Sequence, residues 1–172
     1  MTLSKKIFTK LGYYLLLAIP GLVVLFQVLF RQHIFSDGDA VLQLYPALDF
    51  LRESMQKGDS FIWNPHVLTG FVTAAGLMGG FFSKLNQVVY QLVSVSYGYA
   101  WLTFFSYWLT SVFTFELARK IGLSKFPSLF AGFVAPWLMA NALWAGNMTV
   151  TSGLFLLPFL LYIFSVFDEQ KG

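Results

Sequence analysis

The sequence predicts an all-α, polytopic membrane protein with four transmembrane helices and a large outside loop containing interfacial amphipathic helices. Three observations predict it. Hydrophobic residues make up 57% of the 172 residues and charged residues only 11%, about half the charge of an ordinary soluble domain. Four apolar stretches approach the roughly 20 residues that a bilayer crossing requires. The basic residues gather at the ends of those stretches, as orientation in a membrane demands. Mean hydropathy is +0.67, and residues 1–172 read as a single membrane domain.

The first span covers about 11–30. It follows Lys5, Lys6 and Lys10, is too long for a cleaved signal peptide, and holds Pro20-Gly21 as a candidate kink. The others cover about 99–117, 126–144 and 150–167. Arg119, Lys120 and Lys125 fill the link between the second and third. The positive-inside rule then makes the N-terminus cytoplasmic and residues 31–98 an outside loop. Tyr97, Tyr99, Trp101, Trp137, Trp144 and Tyr162 fall near the span ends, where aromatic belts sit. Glu116 is expected to pair with Arg119 and Lys120 at i+3 and i+4.

The net charge of +3 comes from clustered basic residues, which argues against nucleic acid as a partner. Cysteine is absent, so a disulfide framework and a thiolate metal site are excluded.

The loop is too long for a simple connector. It holds five of the chain's 8 acids: Asp37, Asp39, Asp49, Glu53 and Asp59. Leu44, Leu48, Leu51 and Met55 recur at helical spacing, with Asp49, Arg52, Glu53 and Gln56 opposite. This predicts an amphipathic helix suited to a membrane surface. Pro46 fits its first turn, Glu53 and Lys57 form an i,i+4 pair, and Gly58 is its stop. An aromatic turn, Phe61-Ile62-Trp63-Asn64-Pro65-His66, follows. Gly70, Gly76, Gly79 and Gly80 then make one rigid helix over 70–80 unlikely to form. From Leu85 to about Val95 the pattern predicts a second interfacial or re-entrant helix.

The most informative stretch is Ser36–Pro46, which sets two carboxylates beside an apolar span. Its surroundings complete an ordered set. Gly38-Asp39, Gln43 and Tyr45-Pro46 are followed by the helix stop at Gly58. Trp63-Asn64, Gly70 and Ser83-Lys84-Leu85-Asn86 come next, then Gly132-Phe133, Asn141, Trp144 and Leu156-Leu157-Pro158. This order resembles the N-terminal part of the YfhO family of bacterial membrane proteins, which look like glycosyltransferases of the GT-C class. The resemblance covers nearly the whole chain. One departure is Ser-Lys-Leu-Asn, where the family usually has Ser-Pro-Phe-Asn. Family members are several times longer, so the chain is expected to be a portion of a longer protein.

The resemblance implies transfer of a sugar from a polyprenyl-phosphate carrier to a cell-envelope polymer, such as a teichoic acid, on the outer face of a bacterial membrane. It implies a GT-C-like N-terminal part. Further partners are membrane lipids and either the remaining spans or another membrane subunit. An acidic residue of the first outside loop serves the family as catalytic base or, in some branches, as metal ligand. Asp39 matches that position, and a carboxylate within hydrogen-bond reach can take the proton of an attacking hydroxyl. Asp-Gly-Asp is also ordinary turn chemistry. Asp37 is the auxiliary. Two carboxylates two residues apart are compatible with a divalent cation without demanding one.

Arg31, Arg52 and Lys84 are candidates for the carrier phosphate, which needs charge-assisted donors. Their competing readings are a helix end for Arg31 and a pair with Asp49 or Glu53 for Arg52. Trp63 is a candidate for stacking on a sugar, with Asn64 and His66 as hydrogen-bonding neighbours. Interfacial packing explains Trp63 and His66 equally well. His33 and His66, far apart and without companions, make a poor zinc signature. The alternative function is a non-catalytic membrane ligand-binding, flippase-like or scaffold subunit.

Overall fold

The computed structural model describes residues 3–36, 40–67, 69–73, 82–138 and 153–169. In chain order the elements are α1 (Leu3–Val24), α2 (Phe26–Phe30), a π-helical turn (Ala40–Leu44), α3 (Tyr45–Lys57), β1 (Trp63–Asn64), β2 (Phe71–Val72), α4 (Lys84–Leu92), α5 (Val95–Lys120), α6 (Lys125–Leu138) and α7 (Leu156–Glu169). The chain is mostly helical, as predicted.

The four-span architecture is corrected. Among the described residues, no helix is long and apolar enough to cross a membrane. The reasons differ from helix to helix. Lysines 5, 6 and 10 occupy the first turns of α1, which leaves Leu11–Val24, roughly 21 Å at 1.5 Å per residue, against a hydrocarbon core of ~30 Å. The predicted first span then breaks at Leu25, between α1 and α2. Helix α5 has the length, with 26 residues, but Thr103, Ser106, Thr110, Ser111, Thr114 and Glu116 lower its apolarity. Within the described residues α6 and α7 have 14 residues each, about 21 Å; the remainder of the predicted third span, 139–144, and the start of the fourth, 150–152, lie outside them.

Contacts divide the chain into two units, one of residues 1–26, 104–143 and 153–172, the other of residues 27–103 and 144–152.

In the first unit, side chains of α1 meet the C-terminal part of α5. Glu116 receives hydrogen bonds from Lys10 Nζ at 3.0 Å and Tyr14 Oη at 2.7 Å. Trp108 Nε1 donates to the Tyr14 carbonyl at 2.8 Å. Glu116 thus binds α1, through partners that its helical spacing did not predict. Arg119 Nη1 donates to the Leu123 carbonyl beyond the helix end, where orphaned carbonyls attract cations. Helix α6 comes close at Gly132, where a Cβ would meet the Ser111 carbonyl oxygen at 2.8 Å and Leu17 at 2.9 Å. Helix α7 contributes Phe159, whose ring lies 4.8 Å from that of Phe113.

In the second unit, the apolar face of α3 is the core. Leu44, Leu48 and Leu51 are buried with Tyr90, Val95 and Tyr99. This corrects two expectations: α3 does not offer its apolar face to a membrane, and Tyr99 is a core residue rather than a belt residue. The local signals of α3 hold. A proline sits in its first turn. Gly58, at φ 75°, ends the helix, with Gly58 N–H donating to Met55 O and Asp59 N–H to Ser54 O. That is the left-handed glycine stop with its paired carbonyls. Lys57 lies 3.4 Å from Glu53.

Candidate functional site

Asp37, Gly38 and Asp39 lie outside the described residues; their flanks do not. Phe35 N–H donates to Tyr45 Oη at 3.1 Å. The Phe35 and Tyr45 rings both meet Tyr99 edge-on, at 5.3 and 5.9 Å. On the other side, Ala40 and Leu44 of the π-helical turn are buried. Phe35 before the acidic segment and Leu44 and Tyr45 after it thus belong to the same cluster. Burial, with Tyr99 and Tyr45 beside it, drives the Tyr90 phenol far above its ordinary value. Tyr90 is a protonated wall residue and not a base.

Arg52 is half-buried and its Nε donates to the Tyr90 carbonyl at 3.0 Å. Tyr90 belongs to the last turn of α4, whose carbonyls lack helical partners. Arg52 thereby ties α3 to α4 and complements the helix dipole. Its neighbour Asp49 has its carboxyl held above the ordinary 3.8 by partial burial and by Glu53, while the Arg52 charge opposes the rise. A carboxyl raised in the folded state favours folding only when protonated. Asp49→Asn is therefore expected to unfold at a higher temperature than the parent at pH 7. That gain shrinks as pH falls through the raised value and is gone below 3.8. A gain that stays constant in melts from pH 7 to 3 refutes the assignment.

Trp63 and Asn64 form β1, paired antiparallel with β2 as Trp63 to Val72 and Asn64 to Phe71. The hairpin is closed by Thr73. Its N–H donates to the Ile62 carbonyl at 2.9 Å, and its Oγ1 donates to the Phe61 carbonyl at 2.6 Å. Asn64 is buried, and its Oδ1 accepts the His66 N–H at 2.9 Å, the side-chain turn typical of asparagine. The exposed His66 ring meets Phe50 of α3 at 6.1 Å. The exposed indole of Trp63 lies over Gly70, whose φ is 118°.

Lys84 begins α4, which Ser83 caps by accepting the Asn86 N–H. Its Nζ donates to Gln87 Oε1 at 3.1 Å. Arg31 is exposed just past α2, where Gln32 takes a positive φ of 56°; the helix-end reading fits that place. The structure thus links Arg52 to α4, and Asn64 to His66 and the hairpin. Among the described residues no group of His, Asp and Glu comes together to hold a metal ion. Sequence reasoning missed Tyr45, Tyr90 and Tyr99. The spacing of Val95 and Tyr99, one helical turn apart, was the available signal.

No family model, curated protein or solved structure matches this chain.

Proposed function

We propose that this chain supplies part of a glycosyltransferase that takes a sugar from a polyprenyl-phosphate carrier and delivers it to a cell-envelope polymer, on the outer face of a bacterial membrane. The observation that carries the reading is how the flanks of the acidic segment are held. Both its flanks are held by one aromatic core through Phe35, Tyr45 and Tyr99. The segment also runs into a π-helical turn, a conformation frequent at functional sites. The ordered resemblance supplies the chemistry.

An acceptor hydroxyl attacks the anomeric carbon. Its new C–O bond forms as the bond from that carbon to the carrier phosphate breaks, and Asp39 takes the hydroxyl proton. Asp37 is the auxiliary carboxylate, two residues before that base. Arg31 and Lys84 are the exposed cations assigned to the leaving phosphate, Lys84 exchanging its bond to Gln87. Trp63 offers an open aromatic face to a sugar. Arg52 and Asn64 position α4 and the hairpin.

Asp39→Asn is expected to lower transfer of labelled sugar from the lipid carrier to envelope polymer by at least about a hundredfold, at unchanged protein level in bacterial membranes. Retained transfer removes Asp39 from the chemistry and leaves a ligand-binding or scaffold subunit as the better reading.

A further inference from the structure

Helix α4 is folded inside out. At 100° per residue, Leu85, Val88 and Leu92 fall within about 60° of one another. These three are 65%, 53% and 77% exposed. On the opposite side Asn86 and Gln87 are only 6% and 9% exposed, alongside fully buried Tyr90. Water-facing helices do the reverse, with polar groups outward and leucines inward. Gln87 Oε1 accepts from Lys84 Nζ at 3.1 Å. Phe82, also exposed, extends the apolar stripe past the helix start.

The charges around the stripe point to its occupant. From residue 60 to residue 115 the sequence has no aspartate or glutamate, and Lys84 is its sole lysine or arginine. Lys84 and Gln91 lie on one flank of the stripe, both exposed. An apolar strip edged by a cation and free of acids is complementary to an anionic lipid surface. Helix α3 has spent its own apolar face on the core and turns Glu53 and Gln56 outward.

We infer that α4 docks flat on an anionic bilayer, with Leu85, Val88 and Leu92 in the acyl region and Lys84 at the headgroups. The inference shares only the membrane location with the glycosyl-transfer reading. It involves no sugar, so either can fail alone.

The chain has no cysteine, so single cysteines at 85, 88 and 92 take a nitroxide label cleanly, with Gln56→Cys as the water-facing control. In phosphatidylglycerol vesicles, labels at 85, 88 and 92 are expected to collide severalfold more with oxygen than with a water-soluble nickel chelate. The label at 56 is expected to prefer the chelate. Lys84→Gln is expected to weaken the preference for phosphatidylglycerol over phosphatidylcholine about fivefold, read as the lipid concentration at which the position-88 signal shifts. Equal chelate access at 56 and 88 overturns the proposal. So does spin–spin broadening between copies without lipid, which assigns the stripe to a second copy. A lipid preference unchanged in Lys84→Gln overturns the part given to that residue.

Discussion

Gly70→Ala is expected to destabilise the 61–73 hairpin by about 2–4 kcal/mol, from backbone strain and overpacking together. Two causes act at one position. The backbone sits at φ 118°, where a Cβ is strained whatever space surrounds it. The added methyl also meets the Trp63 ring, with Cε2 and Cη2 both at 2.8 Å and Cζ2 closer still. The exposed indole can swing off Gly70 at the cost of that contact, so the backbone strain is the larger share. The two costs separate experimentally. Trp63→Ala in the Gly70→Ala background removes the collision and leaves the backbone cost, so it is expected to recover part of the loss. Hydrogen exchange at the Thr73 amide, which bonds Ile62 O, reads the hairpin directly. An amide protected equally in parent and Gly70→Ala contradicts the prediction.

Leu48→Ala is expected to cost about 2–5 kcal/mol, the range for truncating a fully buried leucine. Leu48 has no exposure and packs in the cluster that holds Leu44, Leu51, Tyr90, Val95 and Tyr99. Its loss opens a cavity beneath the rings that seat Phe35 and Tyr45, so the acidic segment is expected to lose its anchor as well. Leu42→Ala is the internal control, because Leu42 is largely exposed and its truncation is expected to stay within about 0.5 kcal/mol. Denaturant midpoints of the two variants are expected to separate clearly. Equal midpoints contradict the core described here.

The parts of this fold that local chemistry decides were legible in the sequence. The limits of α3 follow from Pro46 and Gly58, and its Glu53–Lys57 pair from spacing alone. The turn at Asn64 and His66 is likewise a matter of two residues. Partners across the chain were not legible. Glu116 found Lys10 and Tyr14 more than a hundred positions away. Arg52 found a carbonyl of α4 in addition to the nearby Asp49 charge. Periodicity tells that α3 and α4 each have an apolar face, and says nothing of which face turns inward. Span prediction failed for a related reason. Hydropathy runs through Leu25 without interruption, whereas the helix does not. Of the candidate site, Trp63, Asn64 and His66 proved to share one hairpin, as their closeness in sequence suggested. Asp37 and Asp39 are known only through their flanks.

The hairpin closed by Thr73 has a consequence for how this protein can diverge. Thr73 is joined by hydrogen bonds to Phe61 and Ile62, so the chain between them leaves and returns at one place. Closing a longer excursion costs little additional entropy, because that cost grows only with the logarithm of length. Length can therefore be added between His66 and Gly70 while α3 and α4 keep their positions, so long as Gly70 itself is kept. Related chains are free to vary what they display beside Trp63 and His66, and selection can act on that display without first rebuilding the helices beneath it.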